Sequence, residues 1–575
     1  MGDSSMQNGT ITKIDNKYGK LKADDNNEYT FLKSNLSDPH IWQKLSKGMN
    51  VKFELEKSKN QKYYANNISI ASQDNSVICN TNKDNYLLPE TKINDSELII
   101  GIVSSVGTPS HRIITPLKDR LAGFGYSVEE IRVSQFLPTP NQEIREDERI
   151  FHFMEKGDLF REKSNNNSIL AIASAVKIKE LRYNKNTKKN AYIINSLKHP
   201  DEVELLRKIY GYGFYLFGIH SDKPSRKEYL EKDKHCEPNK ADELIKIDEN
   251  EDKKHGQKTR DTYHLSDFFL NLSDNEKQVK NTIQRFLELI FSDPYKTPTF
   301  DEYAMFMAFN SSVRSADLSR QVGAVISRNN QILATGANDV PRFGGGLYWA
   351  EKDNNGEVKD KELGRDYKRS IDQNKQSQRN IIENILKNVK AKALLEPNEL
   401  DKLKLILKES EISDLTEFGR VVHAEMEAIL SCSREGISTK DAILYCTTFP
   451  CHNCAKHIIA SGINRVVYVE PYPKSKALEF HNDSIELQTN LDNKKSTDKV
   501  IFEPFIGVGP RRFLDLFSMS LGVGTKLRRK DKDGSIIERE NNKNIRTPLL
   551  SKSYIELEDD AKKIWESFNK NQTTP

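Results

Sequence analysis

The chain has 575 residues, 36% of them hydrophobic and 30% charged, with a formal net charge of only +4 at pH 7. Roughly 150 residues per domain predicts three to four domains, and so small a net charge is no signature of nucleic-acid binding by the chain as a whole. No run approaches the ~18 apolar residues of a membrane helix, no basic-then-apolar secretion signal opens the sequence, and six cysteines are too few for a disulfide framework, so a cytoplasmic protein is expected.

Residues 7–70 read as short strands, "GTITKI", "YGKLKA", "EYTFLK", "MNVKFELE" and "YYANNISI", divided by Asn, Asp and Gly turns. Five strands in this span predict a small OB-like β-barrel over 1–72. Such barrels stack bases on aromatic rings and hold phosphates with lysines. Lys17, Tyr18, Lys20, Tyr29 and Phe31 are therefore candidates for binding RNA or single-stranded DNA. The three aromatics read equally well as ordinary strand residues. A polar linker follows over 73–96.

An α/β domain is predicted for 97–295, opening with "ELIIGIVSSVGTP" and a helical "HRIITPLKDRLAGFG". A strand, a Gly/Ser turn and a helix are the setting in which backbone N–H groups cradle phosphates, which makes Gly101, Gly107 and Thr108 candidates for a regulatory nucleotide. But Gly107 is followed by Thr108 and Pro109, with no lysine. Regulation or scaffolding fits better than phosphoryl transfer, and a plain tight turn is the other reading.

From 296 to 520 helices alternate with strands again, predicting a three-layer α/β/α domain with a charged helical insertion at 352–418. A polar extension, 521–575, closes the sequence.

The chemistry gathers in "VVHAEMEAIL" and "TTFPCHNCAKHIIA". Cys451 and Cys454 are three apart on a predicted helix, both sulfurs on one face, with Pro450 in its first turn. The helix N-terminus favours thiolates. His423, near the start of another predicted helix, offers a nitrogen. Two sulfurs and one nitrogen suit Zn2+ and leave a fourth position for water, whose pKa zinc lowers from about 15.7 to about 7. Glu425, on a different side of its helix from His423, is left to shuttle protons. A closed structural site would need a fourth donor, for which His452, His457 and Cys446 are at hand, and would give Glu425 no role.

His-x-Glu followed by Pro-Cys-x-x-Cys resembles the signature of zinc-dependent cytidine and deoxycytidylate deaminases. The resemblance implies that activated water attacks C4 of cytosine. Glu425 would carry the proton to N3 and then to the leaving amine, and the backbone N–H of Ala424 would face the base. "SADLSRQVGAVIS", "GANDVPRFGGG" and "CTTFPCHNCAKHIIASGI" resemble deoxycytidylate deaminases in particular. That likeness implies a sugar contact from Asn338, whose other reading is a turn residue. Arg320, Tyr468 and Lys474 are further substrate-binding candidates, with Lys476, Arg511 and Arg512 as phosphate contacts or merely solvated charge. It also implies an oligomer, a hexamer in that family, and control by pyrimidine triphosphates.

Residues 1–72 resemble a cold-shock domain through "KYGKL" and "YTFL", and 97–295 a P-loop kinase-like domain with its lid. The whole layout resembles the bacterial antiviral, AvcD-like cytosine nucleotide deaminases. That likeness implies conversion of dCTP or dCMP to the deoxyuridine nucleotide, depletion of the deoxycytidine pool during phage infection, and inhibition by a small RNA. Housekeeping deoxycytidylate deamination and editing of RNA or single-stranded DNA are the alternatives.

Overall fold

The computed structural model describes residues 7–15, 18–23, 25, 27–36, 45, 49–57, 63–70, 96–140, 142–184, 189–249, 255–273, 275–369, 372–392, 395–415, 418–471, 475–487, 498–524, 526–530, 533–537, 545–549, 562, 563 and 566. Lys17 and Lys474 lie outside the described residues. The chain divides into two compact units, Met1–Glu90 with Tyr554–Pro575, and Thr91–Ser553.

The first unit holds β1 (Gln7–Ile14), β2 (Gly19–Ala23), β3 (Glu28–Phe31), β4 (Asn50–Lys57) and β5 (Tyr63–Ile70). They form an antiparallel sheet ordered β3-β2-β1-β4-β5. Leu36, just past β3, bridges to Ile68 on β5, so the sheet curls on itself. Alternate residues point inward, as strand periodicity requires. Ile11, Leu21, Phe31, Val51, Phe53 and Ala65 make the core.

The second unit carries two six-stranded sheets. The first comprises β6 (Leu98–Ser104), β7 (Ser127–Arg132), β8 (Asn190–Asn195), β9 (Phe214–His220) and β10 (Phe268–Asn271). These five are parallel, in the order β10-β9-β6-β8-β7. Every residue of β6 is buried, which a parallel strand covered on both faces needs. The second sheet comprises β11 (Gly323–Arg328), β12 (Gln331–Ala337), β15 (Ile443–Thr448), β16 (Arg465–Glu470), β17 (Ile485–Leu487) and β18 (Val500–Pro504), ordered β12-β11-β15-β16-β18-β17. β11 is antiparallel to both its neighbours, β12 and β15, and β15, β16, β18 and β17 run parallel to one another. Between β12 and β15 lies the charged segment, a small hairpin of β13 (Glu351–Lys352) and β14 (Val358–Lys359) followed by helices Gln373–Ala391 and Pro397–Glu409.

The two sheets share a core. Ile99, Tyr192 and Phe214 of the first cluster with Val325, Tyr445 and Val467 of the second, and Ala304, Met305 and Ala308 of helix Phe300–Ser312 join them. Glu302, only 1% exposed, ties this helix down. Its carboxylate accepts both Nη atoms of Arg285 at 2.7 Å, the N–H of Thr299 at 2.7 Å and the N–H of Val508 at 2.9 Å.

Val508 belongs to β19 (Gly507–Val508), which pairs antiparallel with β10 and so completes the first sheet. Farther on, the N–H of Arg546 donates to Ile290 O at 2.7 Å, and Ile545 enters the first sheet's core. Described residues on both sides of 520 thus pack on the first sheet, among them Val508, Leu516 and Ile545. The sequence alone divides them between the second layered domain and an extension, because a return to a distant sheet leaves no local pattern.

Candidate active site and its metal centre

Two helix starts converge beside the second sheet. His423 is the N-cap of helix Ala424–Arg434, and Cys451 is the N-cap of helix His452–Ala460. Cys454 lies in the first turn of the latter. Pro450 stands outside that helix, a correction to the expected first-turn position. His423 Nδ1 lies 3.3 Å from Cys451 Sγ and 3.4 Å from Cys454 Sγ. The three donor atoms fall within 4.8 Å of one another.

A close approach makes this possible. Gly336 of β12 packs under helix Ala424–Arg434, and a Cβ there would stand 2.1 Å from Ala424 O and 2.6 Å from Ala428 N. Only a residue without a side chain lets the helix start sit so low on the sheet.

The donors balance one another electrically. The Cys451 thiol is drawn down to about 4, chiefly by a hydrogen bond from Cys454 and then by His423. His423 is raised to about 9, chiefly by its bond to Cys451. Cys454 is pushed well up, first by Cys451 and then by burial. An imidazole and two thiols converging with anionic character fit a thiophilic dication such as Zn2+. Glu425, 4% exposed, is raised by burial first and then by the Cys451 charge.

His423, Glu425 and Cys451 face a cavity of about 710 Å³. Ala424, Asn338, Arg320 and Lys476 also line it. Asn338 uses one amide hydrogen and one oxygen lone pair on the loop before β11, donating to Arg320 O at 2.8 Å and accepting from Val322 N at 2.7 Å. Tyr468 is not on the wall. It is 6% exposed and stands edge-on to Phe449, 4.9 Å between ring centroids, and Phe449 is the lining residue. Arg512 is also removed from the site: buried at 4%, it donates to Phe214 O and faces Asp267 at 3.4 Å. Arg511, exposed beside it, is off the cavity wall. Asp366, Asp372, Asn374, Glu411 and Leu415 of the insertion form one side of the cavity, which the sequence did not foretell. A charge-rich helical segment carries no local sign of where it docks.

A second cavity, of about 580 Å³, opens at the carboxyl ends of β6 and β8. Gly107, at φ +81°, and Thr108, whose Oγ1 is buried without a hydrogen-bond partner among the described residues, both line it. Gly101 does not. It lies mid-strand in β6, where a Cβ would meet Leu197 at 2.7 Å and Phe214 at 2.8 Å, so close packing explains it.

In the first unit, Phe31 is 1% exposed and belongs to the core, which corrects its candidacy as a base-stacking ring. Tyr29 is half-buried, 5.9 Å from the Phe53 ring. Tyr18 accepts from Lys13 Nζ at 3.2 Å, and Lys20 pairs with Glu28 at 2.9 Å. Among the described residues no helix is long and apolar enough to cross a membrane.

Residues 298–470 match the family model described as the cytidine and deoxycytidylate deaminase zinc-binding region. Over 91 residues the chain is 51% identical to ComE operon protein 2 of Bacillus subtilis, a match covering 14% of this chain and 48% of that protein. Over 55 residues it is 49% identical to deoxycytidylate deaminase of Enterobacteria phage T2, covering 10% and 29%. Over 295 residues it is 24% identical to deoxycytidylate deaminase of Saccharomyces cerevisiae, covering 49% and 76%. The chain thus spans less than half the length of the first two relatives.

Proposed function

We propose that this protein is a zinc-dependent deaminase of deoxycytidine nucleotides, converting dCMP, dCTP or both to the deoxyuridine form. The observation that carries this reading is the convergence of His423, Cys451 and Cys454 beside a buried Glu425 on a cavity wall. The zinc-binding family match over the same residues supports it.

Zn2+ held by His423, Cys451 and Cys454 supplies a water activated at neutral pH. The protein's residues do the rest. Glu425, whose carboxyl burial pushes up, is suited to hold a proton, pass it to N3 of the cytosine ring and then to the departing amine. The backbone N–H of Ala424 faces the base. Asn338 holds the loop that carries Arg320 and has amide capacity left for the sugar. Arg320 and Lys476 supply positive charge for phosphate. The insertion walls one side of the cavity, which favours a free nucleotide over a flipped base whose flanking strand must pass.

The rest of the chain suits control. The second cavity is the place for a regulatory nucleotide. The exposed side of the curled sheet, with Tyr18 and Lys20, is the place for RNA or single-stranded DNA, while Tyr29 packs against the core beside Phe53. A deaminase so governed fits anti-phage depletion of the deoxycytidine pool in the cytoplasm, acting as a homo-oligomer, better than housekeeping metabolism. Incubating purified protein with dCTP, dCMP, cytidine and cytosine-containing oligonucleotides, and measuring uracil products, tests this. Turnover of dCMP or dCTP is expected, and turnover of oligonucleotides alone would overturn it.

A further inference from the structure

Glu470, the last residue of β16, sits where the two sheets' surroundings meet. Its side chain is 12% exposed and has two guanidinium groups and an imidazole around it: Arg320 Nη1 at 3.9 Å, Arg260 Nε at 3.7 Å and His264 Nδ1 at 3.8 Å. Thr448 Oγ1 donates to it at 3.4 Å. Arg320 lines the larger cavity. Arg260 and His264 lie on and just after helix Thr259–Tyr263, between β9 and β10 of the first sheet. Arg260 Nε and His264 Nδ1 are buried and make no hydrogen bond among the described residues, so the Glu470 carboxylate, together with Asp261 at 3.7 Å from Arg260 Nη2, compensates their charge or polarity.

The same short helix is tied in the other direction. Thr259 Oγ1 donates to Asp248 Oδ1 at 3.0 Å. Asp248, 3% exposed, accepts Val106 N at 2.9 Å and Lys198 Nζ at 3.0 Å. Val106 and Lys198 line the second cavity. These contacts, joined between Arg260 and Thr259 by the backbone of the short helix, run from the wall of one cavity to the wall of the other.

We propose that Glu470 is a positioning residue: it aims Arg320 at the phosphate end of the substrate, and through Arg260 and His264 it makes that aim depend on the wall of the second cavity. This inference rests on the deaminase reading of the larger cavity. Contiguity alone does not establish coupling; a common effect on one measurable step does.

The test uses the full-length, zinc-loaded protein, with KM and kcat for dCMP and inhibition constants for dUMP and deoxyuridine. Glu470→Gln should raise the KM for dCMP and the Ki for dUMP roughly two- to fivefold, the scale of a partly exposed ion pair. The kcat and the Ki for deoxyuridine, which lacks phosphate, should stay the same. Arg320→Gln should raise the same two constants about tenfold or more, as loss of a charged hydrogen bond does. The double variant should be no worse than Arg320→Gln, because Glu470 acts through Arg320. Thr259→Val, far from the substrate, should raise the same KM by a smaller factor. Equal weakening of dUMP and deoxyuridine, additive effects in the double variant, or an unchanged KM in Thr259→Val would overturn the proposal. A wild-type protein that leaves dCMP untouched would instead remove the deaminase reading beneath it.

Discussion

Gly336→Ala should empty the metal centre without unfolding the protein. The added Cβ would lie 2.1 Å from Ala424 O, more than an ångström inside the ~3.5 Å at which non-bonded heavy atoms sit comfortably. The clash is with backbone, so no side chain can swing away. Helix Ala424–Arg434 must lift, and its first turn carries Glu425 while its N-cap is His423. Overpacking of this kind costs about 1–3 kcal/mol, which a chain with a large shared core tolerates. Zinc does not tolerate it, since donor distances hold to about 0.2 Å. Zinc per chain measured by elemental analysis, beside circular dichroism and dCMP turnover, separates the two effects. The expected result is native secondary structure with zinc and activity lost. Gly123→Ala is the control, because a Cβ there meets nothing within 4 Å. If Gly336→Ala keeps its full zinc and wild-type turnover, the helix start is not set by this contact.

Glu425→Ala should lower turnover by about 10²–10⁴-fold or abolish it, as loss of a general acid–base does, while zinc content stays at the wild-type level. Glu302→Ala strips Arg285 of its carboxylate partner and the N–H of Val508 of its acceptor; it should destabilise the second unit by about 3–5 kcal/mol, read from the shift of the urea midpoint. His220 is depressed to about 4 by burial. Its folded form stays neutral while the unfolded chain takes up a proton near 6.5, so its contribution is present above pH 6.5 and is lost as pH falls toward 4. The thermal midpoint should drop through that window, and His220→Gln should flatten the drop.

The grouping of His423, Cys451 and Cys454 was legible because its signal is local: cysteines three apart and a histidine before a helix keep that pattern wherever they stand in the fold. Phe31 misled because an aromatic in a strand has two faces to choose from. Tyr29 and Phe31 are two apart and share a face, and Phe53 and Leu21 in the core decide which face that is. Gly101 looked like part of a phosphate loop, but its Cβ would strike Phe214, more than a hundred positions away in the chain. Tyr468 and Phe449 are partners across neighbouring segments, and only the fold tells which of the two reaches the cavity. Glu470 carried no signal at all, because its meaning comes from Arg260, His264 and Arg320, brought together by two sheets.

The late strand β19 has a consequence for how the protein is made. Until Gly507 and Val508 leave the ribosome, β10 has no antiparallel neighbour on its outer side. At translation rates of about 5–20 residues per second, that bare edge waits on the order of tens of seconds, open to pairing with other nascent chains. β18, the last strand of the other sheet, ends at Pro504, just ahead of it. One short burst of synthesis therefore finishes both sheets. A nascent chain has no stage at which the half that carries His423, Cys451 and Cys454 is complete and the neighbouring half is far behind.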